Sequence, residues 1–190
     1  MARSHREVSR HLYEIAGTQQ GFFTTNQAKV AGYRENTHTY HVKVGNWVRE
    51  HRGIYRLAQY PAGDQPDLVR WSLWSRNRRQ EVQGVYSHLT ALSLCGFSDL
   101  NSSHLHMTVP GHFRRNKIPD ILALHYADLA ESDIETARGF RFTSPQRTIL
   151  DLVESLRQGL QGGLITAEQI QNACVTGPAR KLCERILRAV

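Results

Sequence analysis

The sequence predicts an α+β protein of two domains that ends in a helical tail, and three observations lead to this prediction. Residues 1–60 show helix-period apolar patterns followed by a short hairpin pattern. The stretch 61–66 is rich in proline, glycine and polar residues, which break regular structure. Residues 67–190 then mix helical and strand patterns. We therefore expect a first domain at 1–60 and a second at 67–190, whose tail, 156–190, is helical.

The first domain is predicted to be a winged helix-turn-helix. Apolar residues at helical spacing, candidate N-caps and glycine stops predict helices over Ser4–Thr18, Thr25–Ala31 and Glu35–Val44. Two short helices joined through a glycine form the helix-turn-helix geometry. The segments Trp47–Glu50 and Ile54–Leu57 then predict two strands around a tight turn at 51–53, and this hairpin would be the wing.

The second domain is predicted to be a small mixed α+β domain. Helical patterns cover residues 67–78, 86–95 and 145–155, and the tail adds helices at 166–174 and 178–189. Alternating patterns predict four strands, at 105–109, 121–126, 134–137 and 140–143.

Composition excludes several classes of protein. The chain is 40% hydrophobic and 22% charged, and it has no run of about 18 apolar residues that could span a membrane. Its start is amphipathic rather than a signal core, so we expect a cytoplasmic protein. The three cysteines, Cys95, Cys174 and Cys183, are an odd number without a Cys-x-x-Cys pair, which favours reduced thiols over disulfides or zinc.

Positive charge is concentrated in the first domain. Residues 1–60 hold nine Lys or Arg and four Asp or Glu, which gives +5 of the net +7. A basic segment of this size indicates a polyanionic partner, because phosphates neutralised by protein cations release their counterions. A basic face that only confers solubility is the alternative.

The second helix of the motif and the wing supply the candidate DNA contacts. In a helix-turn-helix the second helix enters the major groove, while the first helix and the wing hold phosphates. Almost every side chain of the second helix can form hydrogen bonds: Arg34 suits guanine and Asn36 suits adenine. The alternative is that Thr39, Tyr40 and Val42 face the core and the rest is solvated. The predicted DNA-binding residues are Thr25, Arg34, Asn36, Thr37, His38, His41, Lys43, His51, Arg52 and Arg56.

Motifs for catalysis are missing from the sequence. It has no phosphate-binding P-loop, no Gly-x-Ser-x-Gly elbow, and no acidic residue two positions before a lysine, as nucleases often have. Asp133 and Glu135 have a metal-binding spacing but fit an exposed strand better, and His104 and His106 fit surface or core histidines better than ligands. We predict no catalytic activity, metal or cofactor.

Two further features of the second domain leave alternatives open. Arg147 and Asp151, four residues apart, can form an ion pair on a helix that Pro145 and Ser144 or Thr143 begin, and a binding role for Arg147 is the alternative. The basic loop 113–117 could touch flanking DNA, meet an acidic partner, or be solvated.

The sequence resembles the AbiEi family of antitoxins. The resemblance rests on Gly21-Phe22-Phe23-Thr24-Thr25-x-x-Ala28 and on Gly45-x-Trp47-Val48-x-x-x-Arg52-Gly53-Ile54-Tyr55-Arg56-Leu57. It continues in Ser87-His88-Leu89-Thr90-Ala91-Leu92, in Thr108-Val109-Pro110, and in Thr143-Ser144-Pro145-x-Arg147-Thr148-x-Leu150-Asp151-Leu152. Together these segments span residues 4–155.

The resemblance implies a bacterial, sequence-specific transcriptional regulator that is the antitoxin of an AbiE-type, type IV toxin-antitoxin system. Its winged helix would bind inverted repeats in double-stranded DNA at its own promoter and repress it, as a monomer or a dimer. Its second domain would counteract a nucleotidyltransferase-like toxin. A regulator without a cognate toxin, or a stand-alone protein-interaction module, is the alternative.

Overall fold

The structure, a computed structural model, describes residues 4–96 and 102–161 of the 190-residue chain. The chain divides into two compact units, one of residues 1–84 with 136–141 and one of residues 85–135 with 142–190. The breaker-rich stretch 61–66 therefore lies inside the first unit. The helix that follows it, at 66–74, packs against strands of the same unit.

The first unit contains a winged helix-turn-helix, and its elements follow in the order expected of that fold. A 3-10 turn over Glu35–Thr37 precedes α3, and the three strands form an antiparallel sheet in the order β1-β3-β2. The elements are α1 (His5–Gly17), β1 (Phe22–Thr24), α2 (Thr25–Ala31), α3 (His38–Lys43), β2 (Trp47–His51), β3 (Ile54–Leu57) and α4 (Pro66–Trp74).

Local side chains determine where the first two helices begin. The Ser4 hydroxyl accepts a hydrogen bond from the Glu7 N–H at 3.3 Å, and the Glu7 carboxylate accepts one from the Ser4 N–H at 2.7 Å. Thr24 and Gln27 form the same reciprocal capping box on α2. Each box satisfies backbone donors that a helix leaves unpaired at its first turn. Gly32 ends α2 as the sequence predicts.

The core of the first unit lies where α1, α2 and the sheet meet. It is built from small alanines that allow close helix packing and from large aromatic side chains on the strands. The buried members of this cluster are Leu12, Ala16, Phe23, Ala28, Ala31 and Trp47.

The second unit contains most of a five-stranded mixed sheet with the strand order β6-β5-β4-β8-β7. Strand β4 pairs antiparallel with β5 and parallel with β8, while β5 and β6 run parallel. Helix α5 packs against α6 and β5. The elements are β4 (Val85–Tyr86), α5 (His88–Leu94), β5 (Leu105–Val109), β6 (Leu122–Tyr126), β7 (Ile134–Ala137), β8 (Phe140–Thr143) and α6 (Pro145–Gln161).

Within the described residues, the elements expected in the second domain are present with small shifts. The helix expected at 86–95 begins at His88, because Tyr86 pairs with β5 and β8 as part of a short strand. The Arg147 guanidinium donates to the Asp151 carboxylate at 2.8 Å, which confirms the expected ion pair, and Ser144 accepts from the Arg147 N–H. The helices expected at 166–174 and 178–189, with Cys174 and Cys183, lie outside the described residues.

Three histidines of the second unit stack together. The rings of His88 and His125 lie parallel, with centroids 3.6 Å apart. His106 Nδ1 lies 3.0 Å from His125 Nε2, a hydrogen-bond distance. His104 is exposed, as expected for a surface histidine.

Residues 4–96 and 102–161 lack two features of other classes of protein. In this part of the chain no helix is long and apolar enough to cross a membrane. The same residues contain no group of three or more His, Cys, Asp or Glu side chains arranged to hold a metal ion.

Candidate nucleic-acid interface

Trp47 on β2 is the residue around which the helix-turn-helix is packed. Its side chain is 3% exposed. The His41 ring stacks on it at 4.6 Å, and the rings of Phe23 and Tyr33 meet it edge-on at 4.9 and 5.0 Å. Aromatic pairs at these distances stabilise a fold by more than the burial of their apolar area alone. The ring cluster therefore fixes α3 against the sheet, so that the outer face of α3 has a defined orientation.

His38 and His41 form the inner face of α3. They are 3% and 7% exposed, and the His38 ring lies 5.3 Å from Trp47 and 5.9 Å from Tyr55. Burial lowers the pKa of both imidazoles, which favours their neutral form. The structure therefore argues against the two histidines as DNA contacts, because their rings belong to the packing of the domain and do not reach solvent.

The outer face of α3 includes Thr39 and Tyr40, which the alternative interpretation of the sequence had placed in the core. Thr39 is exposed and Tyr40 is 60% exposed, while Val42 does pack partly against the core. Asn36, in the turn before α3, and Lys43, at its end, are also exposed. The outer face of the helix thus presents an amide, a hydroxyl, a phenol and an ammonium group.

Four exposed cations flank this face without a carboxylate partner. Arg34 precedes the 3-10 turn, Lys43 ends α3, and Arg49 and Arg52 lie on the wing hairpin. Within the described residues, none of the four lies within 4.0 Å of an acidic side chain. The same is true of Arg6 on α1. Cations that are exposed and unpaired can neutralise phosphates without first breaking an ion pair.

Other cations of the domain are already paired. Arg10 donates to Glu14 at 3.0 Å, and Lys29 donates to Glu35 at 3.1 Å. Arg56, one of the predicted contacts, donates to Glu50 at 2.9 Å and is half-buried. Glu50, which is 18% exposed, also lies 3.8 Å from Arg70. Arg56 therefore has a structural role in the sheet that competes with any contact to a phosphate.

The remaining predicted contacts are partly engaged within the protein. The His51 ring packs edge-on against Trp71 at 5.4 Å. The Thr37 hydroxyl donates to the Arg34 carbonyl at 2.7 Å. Thr25, the first residue of α2, donates its N–H to the carbonyl of Gly53 in the wing turn at 3.0 Å. This last bond ties the wing to the beginning of α2, so the two move together.

The structure thus leaves fewer candidate DNA contacts accessible than the sequence predicts. Arg34, Asn36, Lys43 and Arg52 are exposed, and sequence reasoning left Tyr40 out of the site. No signal in the chain could have found Tyr40 with certainty, because histidine and tyrosine are both amphipathic and either can face the core of a six-residue helix.

The segment that matches a known family lies within the winged helix-turn-helix. Residues 10–58 match the family described as a transcriptional regulator, AbiEi antitoxin. These residues include most of the winged helix-turn-helix, which is therefore similar to an AbiEi-type domain. The match covers both halves of the residue pattern between Gly21 and Leu57. It ends before the second unit, where the resemblance of the segments at 87–92 and 143–152 stays a prediction.

A solved structure is similar in fold over more of the chain than the family match covers. The RV2827C protein from Mycobacterium tuberculosis, known from a crystal structure, is similar with a TM-score of 0.51 and 13% sequence identity. The alignment covers 99% of this chain and 78% of that one. At this identity the likeness concerns the fold alone. No curated protein matches the chain.

Proposed function

We propose that the chain is a sequence-specific DNA-binding regulator that represses its own promoter, with α3 in the major groove and the wing on the neighbouring phosphates. The observation that carries the proposal is the distribution of ion pairs. Arg34, Lys43, Arg49 and Arg52 are exposed and unpaired beside α3 and on the wing, whereas Arg10 and Lys29 are neutralised by glutamates. The AbiEi family match over the same residues supports it.

The two groups of cations predict different effects on DNA affinity. Arg52→Ala and Lys43→Ala should each weaken binding several-fold at low salt. Each should also reduce the slope of log affinity against log salt by about 1, since one phosphate contact is lost. Arg10→Ala is the matched control, because it removes a cation that is exposed but paired with Glu14. Fluorescence anisotropy on a duplex from the region upstream of the coding sequence measures all three.

Two outcomes would contradict the proposed interface. One is an Arg10→Ala variant that loses as much affinity and salt dependence as Arg52→Ala. The other is a full chain that binds the upstream duplex no better than a shuffled duplex of equal composition, which would leave only non-specific attraction to phosphates.

We propose further that the protein acts as an antitoxin against a nucleotidyltransferase-like toxin. The family description of residues 10–58 supports this role in general. If a nucleotidyltransferase-like product is encoded beside this chain, its expression alone should arrest growth, and co-expression of this chain should restore growth. Arg52→Ala separates the two functions: it should still relieve the arrest while it derepresses the promoter. An arrest that co-expression leaves unchanged would remove the antitoxin role and leave the regulator.

A further inference from the structure

Tyr40 lies on the outer face of α3. Successive residues of an α-helix point about 100° apart, so Tyr40 points about 160° away from the buried His38 and about 100° away from His41, on the exposed side that it shares with Thr39 and Lys43. The Tyr40 side chain is 60% exposed, and the ring described against it is that of the neighbouring His41, edge-on at 5.4 Å. A large apolar ring thus lies where a recognition helix meets base edges.

The residues around Tyr40 carry different functional groups, each suited to a different part of DNA. Asn36, one turn earlier, has an amide that can pair with both N6 and N7 of adenine. Lys43, three residues later, is a cation suited to a phosphate. An aromatic ring offers neither pairing, but it can pack on the C5 methyl of thymine, which marks A·T pairs in the major groove. The amide and the ring would therefore both favour A·T pairs.

We propose that Tyr40 is a specificity-determining residue that reads a thymine methyl group through its ring, beside an adenine contact by Asn36. The proposal rests on the proposed function, since it concerns the same DNA interface. It names the sequence class that the interface prefers, a half-site with A·T pairs at its centre. It assigns the recognition to the apolar ring rather than to the hydroxyl.

Replacement of thymine by deoxyuridine tests the proposal, because it removes the methyl and keeps every hydrogen bond of the base pair. A duplex is first selected from a random pool with the full wild-type chain. At the contacted thymine, deoxyuridine should weaken wild-type binding roughly fourfold, the effect of one methyl removed from an apolar contact. Tyr40→Phe should keep this sensitivity, and Tyr40→Ala should lose it.

Tyr13→Ala is the matched control, since Tyr13 is another exposed tyrosine, 55% exposed, but lies on α1. It should keep the wild-type response to deoxyuridine. Thermal unfolding of each variant shows that the comparison concerns folded protein. Tyr40→Gln, which also removes the ring, takes the place of Tyr40→Ala if that variant is unstable.

The outcomes separate failure of this inference from failure of the proposed function. If the wild-type chain selects no sequence at all, the proposed function fails. If it selects a sequence, three results overturn the role of Tyr40: a site without A·T pairs, no effect of deoxyuridine at any thymine, or an equal effect in Tyr40→Ala. Loss of sensitivity in Tyr40→Phe would assign the contact to the hydroxyl and overturn it too.

Discussion

At the scale of single residues, the orientation of α3 depends on which of its side chains fill the space around Trp47. His38 and His41 do so, at 3% and 7% exposure, and Tyr40 remains outside. The sequence predicts a polar helix in the right place but not its inner face, since six residues are too few for a hydrophobic period to decide between amphipathic rings. Arg34, Asn36, Lys43 and Arg52 could be predicted as exposed because their charged or amide groups are costly to bury unpaired.

Gly21 is a residue whose backbone the fold constrains closely. Its φ of +87° lies in the left-handed region, and a Cβ there would be 2.5 Å from Cγ of Tyr60. The Tyr60 ring cannot move away easily, since its hydroxyl donates to the Gly17 carbonyl and accepts from Arg138. Substitution of Gly21 therefore meets two costs, one conformational and one steric.

We predict that Gly21→Ala destabilises the protein more than Gly45→Ala. Gly45 has a similar φ of +80°, but a Cβ there would meet nothing within 4 Å, so only the backbone cost of about 1–2 kcal/mol applies. Gly21→Ala should cost clearly more, as overpacking against Tyr60 adds roughly 1–3 kcal/mol. Urea unfolding of both variants measures the difference. Equal losses of unfolding free energy in the two variants would show that the Tyr60 ring moves aside without destabilising the protein.

At the scale of elements, local signals in the sequence predict the helices and the wing. They do not predict the short strands β1 and β4. Helix α2 spans Thr25–Ala31 as predicted, because its capping box and Gly32 are all local. Strand β1 has only three residues and forms through pairing with β3, about thirty residues later. The short strand β4 likewise depends on β5 and β8. Pairings of this kind are set by tertiary packing rather than by a period in the sequence.

The histidine stack links α5, β5 and β6, and it makes their stability depend on pH. Burial, with nearby His125, His106 and Arg147, lowers the pKa of His88 to about 3. Burial also lowers the pKa of His106 and His125. Below the unfolded pKa of 6.5, the unfolded chain therefore binds protons that the folded unit excludes. Stability is present above pH 6.5 and is lost as the pH falls toward 3.

We predict that the free energy of unfolding falls by about 2 kcal/mol from His88 alone between pH 7 and pH 5. Burial raises the pKa of Asp151, which acts in the opposite direction, so the test compares variants in all of which Asp151 is unchanged. His88→Asn should reduce the pH dependence, since asparagine accepts the φ of +51° and does not titrate. The exposed His104→Asn is the control. Urea unfolding at pH 5, 6 and 7 that gives one slope for all three proteins would refute the argument.

At the scale of the whole molecule, the sequence predicts the fold class and the concentration of positive charge, and the contacts correct the limits of the units. Helix α4 was expected at the beginning of the second domain, with its aromatic side against one or both domains. It packs on β1 and β3 of the first unit, and the ring of its Trp71 meets His51. Apolar faces at the end of a linker can pack on either neighbour, so composition alone cannot place such a helix.

The central claim is that this chain recognises a DNA sequence through α3 and the wing. The most direct measurement is the affinity of the full chain for a duplex from its own upstream region, against a shuffled duplex, over a range of salt concentrations. We predict a preference of at least about a thousandfold for the upstream duplex, with affinity that falls steeply as salt rises. Equal affinity for both duplexes, or no binding at low salt, would contradict the claim.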